Sequence, residues 1–292
     1  MIALSAAMVI TGCSTPSASP TSSDGGASSA NVDASIRAML PDAVKKAGYL
    51  TVASDVPYPP FEFYDTDGKT ILGSDPDIAK ALGELMGIQF RLQPVAQVNI
   101  IPGLSSGKYD LGLSGMADRK EREAAVTFVD YMRNAGTFLV TADAKHHPMT
   151  LPDICGLNVA VQSATTMADD ATGQATKCTA DGKQAPKVME FQSQDDAVLA
   201  LRSNRADVAM VTAGSGAFIM TQAKGQFDMT ATYSAGSILG IPVRKDNMQL
   251  AKALEAGVQK LIDNGTYKKI LTKWGLDKLN SIEKSGINGA IS

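Results

Sequence analysis

Leu104-Ser105-Ser106-Gly107-Lys108-Tyr109-Asp110-Leu111 is matched 97 positions later by Leu201-Arg202-Ser203-Asn204-Arg205-Ala206-Asp207-Val208. Each octapeptide reads as a helix end, a turn residue able to take positive φ (Gly107 or Asn204), a basic residue, and an aspartate leading into an apolar strand. Two copies of one helix-turn-strand unit imply two lobes built on one plan. The cleft between such lobes is where small ligands usually bind.

Outward from this pair, apolar periodicity predicts strands at 50–54, 88–95 and 111–113 and helices at 75–86, 100–106 and 120–126. A second series follows, with strands at 158–161 and 208–211 and helices at 195–203 and 216–223. Strands alternating with helices indicate an α/β architecture with largely parallel sheets. The chain has 292 residues, 44% of them hydrophobic, which suits two domains with real cores. With 27 basic against 30 acidic residues its net charge is -3, so nucleic acid is not expected as a partner.

The N-terminus points out of the cytoplasm. An apolar run at 2–10 leads to Ile10-Thr11-Gly12-Cys13, which resembles a bacterial lipobox with Cys13 as the lipidated residue. No basic residue precedes Arg37, so 1–12 reads as a signal peptide with a truncated or misassigned start. The segment 13–32 is rich in Ser, Thr, Ala, Gly and Pro and reads as a flexible tether. With Cys13 lipidated, Cys155 and Cys178 remain, and in an oxidising compartment the expectation is one disulfide. It would close a loop of about 24 residues and contribute ~3 kcal/mol in the chain-entropy view. No metal site is expected: His146 and His147 are adjacent, and neither Cys-x-x-Cys nor helical His spacing occurs.

Along 43–276 the residues resemble a known family, the extracytoplasmic solute-binding proteins of the polar amino-acid type, receptors of ATP-binding-cassette importers. Asp55-Val56-Pro57-Tyr58-Pro59-Pro60-Phe61-Glu62-Phe63 is similar to the family's first strand and loop, and Gly73-Ser74-Asp75-Pro76-Asp77-Ile78 to its next helix start. Ile101-Pro102-Gly103-Leu104 through Asp110 resembles the following helix and strand, and Glu121-Arg122 with Phe128 its ligand-arginine segment. Asn264-Gly265-Thr266-Tyr267 and Lys273-Trp274-Gly275 look like its C-terminal helix. The resemblance implies a type II periplasmic-binding-protein fold: two lobes, 43–136 plus 234–276 and 137–233, joined by two crossover hinge segments near 131–136 and 234–239, with a ligand cleft between them. Residues 277–292 remain as a C-terminal tail.

Capture of an amino acid or related carboxylate requires partners for each buried charge, because an unpaired ion in a protein interior is heavily penalised. Arg122 fits the carboxylate role, since a guanidinium forks a carboxylate bidentately and stays charged. The competing reading is a surface arginine in the charged run 119–123; the resemblance favours the ligand role. Ser114, Gly115, Met116 and Ala117 form the loop before it, and Thr165 and Thr166 the matching loop across the cleft, each offering backbone N–H groups at a helix start. Tyr58 and Gln97 fall where the resemblance places neighbours of the ligand side chain. Asp55 is placed to meet a cation or amide, with a strand-end Asx turn as the competing reading.

Three residues depart from the family pattern. Thr212 stands where an aspartate for the ligand ammonium is usual, Ala117 where a hydroxyl is usual, and Ala164 where glycine is usual. The expectation is an unusual ligand, either without a primary ammonium or with its cation met elsewhere, as by Asp55. The chain is thus read as a monomeric, lipid-anchored receptor that needs no cofactor, delivers its ligand to permease subunits, and is not an enzyme. A cyclohexadienyl-dehydratase-like enzyme would need an acid and a base in the cleft, for which Asp55 and Glu62 are the candidates. A receptor for a non-amino-acid polar ligand, acting as sensor or importer, is the other alternative.

Overall fold

The structure is a computed structural model and describes residues 32–278 and 280–290. The expected signal segment 1–12, the lipidated Cys13 and the tether through residue 31 lie outside the described residues. The described chain opens with two short helices, α1 (Ala34–Met39) and α2 (Asp42–Ala47). Asp33 caps the first by accepting from the N–H groups of Ser35 and Ile36, and Gly48, at φ 75°, ends the second. The first lobe continues with β1 (Tyr49–Ser54), the hairpin β2 (Phe63–Tyr64) and β3 (Ile71–Leu72), α3 (Ser74–Met86), β4 (Gln89–Pro94), α4 (Ile100–Ser105), β5 (Leu111–Gly112), β6 (Ala117–Asp118) and α5 (Lys120–Glu123). A 16-residue strand, β7 (Val126–Thr141), then leads into the second lobe.

There β8 (Asn158–Gln162), α6 (Thr166–Ala180), β9 (Lys187–Phe191), α7 (Gln194–Arg202), β10 (Val208–Thr212) and α8 (Ala213–Gln222) follow in order. An 18-residue strand, β11 (Phe227–Arg244), returns to the first lobe, which α9 (Met248–Asp263) and α10 (Thr266–Lys273) complete.

The sheet order β4-β1-β5-β11-β7-β10-β8-β9 splits into two halves at the antiparallel pair β11 and β7. In the first half β1 pairs in parallel with β4 and β5, and in the second β8 pairs in parallel with β9 and β10. Both long strands serve both lobes, and their register shifts between Tyr233 and Ser237, opposite Asn134 to Gly136. This is the two-lobe fold with two crossovers that the sequence implied.

The repeated octapeptide proves to be one structural device used twice. Gly107 and Asn204 take left-handed φ of 75° and 56° at the ends of α4 and α7. Their aspartates then fasten each lobe's second strand to its first: Thr51 N–H donates to Asp110 Oδ2 at 2.7 Å and Asn158 N–H to Asp207 Oδ2 at 2.8 Å. The octapeptides end as strands in parallel pairing, Leu111 beside Val52 and Val208 beside Val159.

Packing follows helical spacing. On α3 the buried Ile78, Ala79, Leu82, Leu85 and Met86 recur at intervals of one, three and four, giving one apolar face. It packs in the same core as Leu250, Leu254, Val258 and Leu261 of α9. Burying each such leucine contributes about 1.5–3 kcal/mol. The second lobe holds two separate apolar clusters, around Phe138 with Val159 and Met210 and around Leu139 with Ala209 and Phe227, as expected of a sheet covered on both faces.

Three differences from the sequence reading have clear causes. The helix expected over 120–126 ends at Glu123, because Val126 is already paired with Arg244 in the long ladder. The first crossover strand, β7, is buried along nearly its whole length, so no alternation of apolar and polar residues marks it. The C-terminal tail lies along β7 over its described residues: Arg133 N–H donates to Asn280 O, Asp130 N–H to Gly286 O and Phe128 N–H to Asn288 Oδ1. The remaining cysteines are bonded as expected, Cys155 to Cys178 with Cα atoms 5.8 Å apart, tying the start of the second lobe to α6.

Candidate ligand-binding site

Between the lobes lies a narrow, nearly closed cavity of about 10 Å³, room for about one water. Its wall is formed by Asp55, Tyr58, Gln97, Gly115, Ala117, Arg122, Thr165 and Thr166, all singled out from the sequence, together with Asn134, Gln162 and Met167, which were not. Asp55 follows the C-terminal end of β1, and Thr165 and Thr166 begin α6 just beyond β8, so both lie where parallel strands of an open sheet end.

Arg122 closes one end. Its guanidinium donates to Ala117 O at 3.0 Å within the first lobe and to Ala164 O at 2.9 Å in the second. Burial lowers its pKa, yet a guanidinium keeps its charge at any ordinary pH. Opposite stands the first turn of α6, whose leading N–H groups have no helical acceptor. Thr165 caps that helix by accepting from Ala168 N–H at 3.3 Å and donates its own hydroxyl proton to Gln162 O at 2.7 Å. A fixed cation facing a helix N-terminus is suited to hold a carboxylate. Ala164 sits at φ 58°, in the left-handed region, which is the physical reason glycine suits that position.

Asp55 is the acidic end. It is 8% exposed, accepts from Gln162 Nε2 at 2.5 Å and from the backbone of Gln97, and burial pushes its carboxyl up to about 6. The Gln162 contact joins the lobes, as do the Arg119–Asp170 ion pair at 3.3 Å and the Ser215 hydroxyl donating to Pro59 O at 2.7 Å. Asn134, on β7 at the crossover, is 4% exposed and its Oδ1 has no partner among the described residues. Gln162 and Asn134 escaped sequence reading because each lies within a buried strand that gives no sign of which side chain faces the cleft.

Ser114, Met116 and Thr212 stand behind the wall. The Ser114 hydroxyl donates to Glu62 Oε1 at 2.6 Å and accepts from Asp55 N–H at 2.8 Å, so it braces the loop that carries Asp55. Met116 packs among Ala53, Ile100 and Phe128. Thr212, 1% exposed, caps α8 by accepting from Ser215 N–H at 3.3 Å. Tyr58 stacks on Phe61 with ring centroids 5.4 Å apart.

Glu62, the second carboxylate considered for acid-base chemistry, is fully buried beside Asp75 and is not part of the cavity wall. Burial and the neighbouring Asp75 raise its pKa well above the usual carboxylate range. Asp75, raised to about 6 by burial, accepts from the Tyr131 hydroxyl at 2.9 Å and Gly115 N–H at 3.0 Å. The pair supports the floor under Tyr58.

His146 and His147 lie on the 144–148 loop away from this cavity, and no group of three or more His, Cys, Asp or Glu side chains among the described residues could hold a metal ion. No helix of the described residues is long and apolar enough to cross a membrane.

Comparison with known proteins places this geometry. Residues 50–277 match the family described as bacterial extracellular solute-binding proteins, family 3. The chain is 32% identical over 246 residues to the arginine-binding protein ArgT of Corynebacterium glutamicum, covering 83% of this chain and 79% of that one. Among solved structures it is similar to the P235GK mutant of ArgBP from T. maritima, with 28% identity and a TM-score of 0.73 over 80% of this chain and 98% of the other. An ancestral arginine-binding protein bound to arginine gives 29% identity and a TM-score of 0.72 over 78% and 98%. The match spans both lobes and both crossovers, and the chain belongs to the bacterial extracellular solute-binding proteins, family 3.

Proposed function

We propose that the chain is the extracytoplasmic receptor of an ATP-binding-cassette importer and captures a carboxylate that carries a separate cationic group, with arginine as the first ligand to test. The observation that supports this is the polarity of one interlobe cavity, with Arg122 facing the start of α6 at one end and Asp55 at the other. The ligand carboxylate takes the place of Ala164 O on Arg122, and its cation displaces Gln162 from Asp55. Both protein charges already hold neutral partners, so the exchange leaves neither uncompensated. Arginine-binding relatives support the same assignment.

In this reading Tyr58, Gln97, Gly115, Ala117, Thr165 and Thr166 contact the ligand, while Ser114, Met116 and Thr212 position those that do. The lobes 43–136 plus 234–276 and 137–233 hinge about the crossovers, and the closed form is what permease subunits recognise. Lipidation at Cys13 tethers the receptor to the outer face of the cell membrane, where it acts as a monomer without a cofactor.

Calorimetry of the purified protein against the amino acids, arginine included, tests the ligand class; absence of binding by any of them refutes it. Metabolic labelling with a radiolabelled fatty acid tests the anchor, since label must appear in the full-length chain and vanish in Cys13→Ser.

A further inference from the structure

The charges on the cavity wall are few. Among the eleven residues that form it, only Asp55 and Arg122 carry charge; Asn134, Gln97, Gln162, Thr165 and Thr166 are polar and neutral. These two charges do not pair with one another. Asp55 accepts from Gln162 Nε2, whereas Arg122 donates to the carbonyls of Ala117 and Ala164. An α-amino acid bears carboxylate and ammonium on one carbon. With its carboxylate on Arg122, the ammonium therefore lies at that same end of the cavity. The acceptors left to it are neutral, and Asn134 Oδ1 is one that lacks a partner. The Thr212 hydroxyl already accepts from Ser215 N–H.

Resting on the receptor reading above, we infer that the site selects ligands with one carboxylate and one distant cation, an ω-guanidino or ω-amino carboxylate, and does not require a charged α-ammonium. Arg122 and Asp55 neutralise one ligand charge each. A third ligand charge, the α-ammonium, loses its hydration without gaining a counter-ion, so its removal does not weaken binding. A neutral N–H at that carbon meets Asn134 as well as an ammonium does.

Titration calorimetry on the full chain at pH 8 with L-arginine, 5-guanidinopentanoate (arginine without its α-amine) and agmatine (arginine without its carboxylate) tests the inference. The expected order is 5-guanidinopentanoate binding at least as tightly as L-arginine, or no more than tenfold weaker, and agmatine at least a hundredfold weaker than either. L-Arginine bound with 5-guanidinopentanoate more than tenfold weaker overturns the inference and leaves the receptor reading standing. Agmatine binding like arginine overturns the role of Arg122 and with it the inference. Silence from all three overturns the proposed ligand class and this inference together.

Discussion

Asp55→Asn separates what the site does for binding from what it does for folding. Burial raises the Asp55 carboxyl from 3.8 to about 6, so the folded state holds that proton more tightly than the unfolded chain does. For a carboxylate raised in this direction the sign is a penalty, fully present above about pH 6, shrinking as pH falls and gone below 3.8. At about 1.4 kcal/mol per pH unit, that interval corresponds to roughly 3 kcal/mol of destabilisation at neutral pH. Asparagine has nearly the same shape and no charge. Its carboxamide faces two donors, Gln162 Nε2 and the Gln97 N–H, and can accept from only one unless Gln162 turns its amide over. That mismatch costs about 1 kcal/mol. The net expectation is that ligand-free Asp55→Asn is more stable than the parent by about 2 kcal/mol at pH 7.5 and indistinguishable from it, or slightly less stable, at pH 3.5. Urea unfolding of both proteins at the two pH values, followed by far-ultraviolet circular dichroism, measures this. A variant equally or less stable at pH 7.5 would show that the buried carboxylate is not a source of strain. The same variant should lose binding of a guanidino carboxylate by a hundredfold or more, placing stability and function in opposition at one residue.

Three further outcomes follow from the geometry. Binding of a cationic carboxylate should weaken as pH falls through about 6, by up to tenfold per pH unit, because protonated Asp55 offers no counter-charge; a flat affinity between pH 8 and 5 in calorimetry contradicts its role. Arg122→Ala should lose about 2–5 kcal/mol of binding with little change in apo stability, since the two carbonyls it holds face the cleft and can be hydrated, while Arg122→Lys should fall between for want of the forked geometry. Wild-type affinity in Arg122→Ala refutes the assignment. Replacing Cys155 and Cys178 together by serine should lower unfolding free energy by about 3 kcal/mol in urea titration, and an unchanged midpoint and slope would show that the bond adds no constraint.

The repeated octapeptide carried the fold because its chemistry is local. A helix end needs a left-handed residue, and the aspartate that follows finds its strand partner within the same lobe, at Thr51 in one case and Asn158 in the other. The loops Asp55 to Tyr58, Gly115 to Ala117 and Thr165 to Thr166 were legible for a related reason. Each follows a strand end, and in an open parallel sheet those ends face the cleft. Gln162 and Asn134 were not legible, since a uniformly buried strand gives both of its faces the same composition.

The sequence by itself determined the two-lobe plan and the cysteine pair, because turn chemistry and residue type act over short distances, and its resemblance to a known family supplied most of the cavity wall. Only the tertiary structure decided the distribution of charge. It showed Ser114 spent on Glu62, Glu62 buried beside Asp75 with its pKa raised, and Asp55 and Arg122 each held by a partner from the opposite lobe. Those facts depend on burial and, for Arg122 and Asp55, on contacts with residues 42 and 107 positions away, which no local pattern encodes.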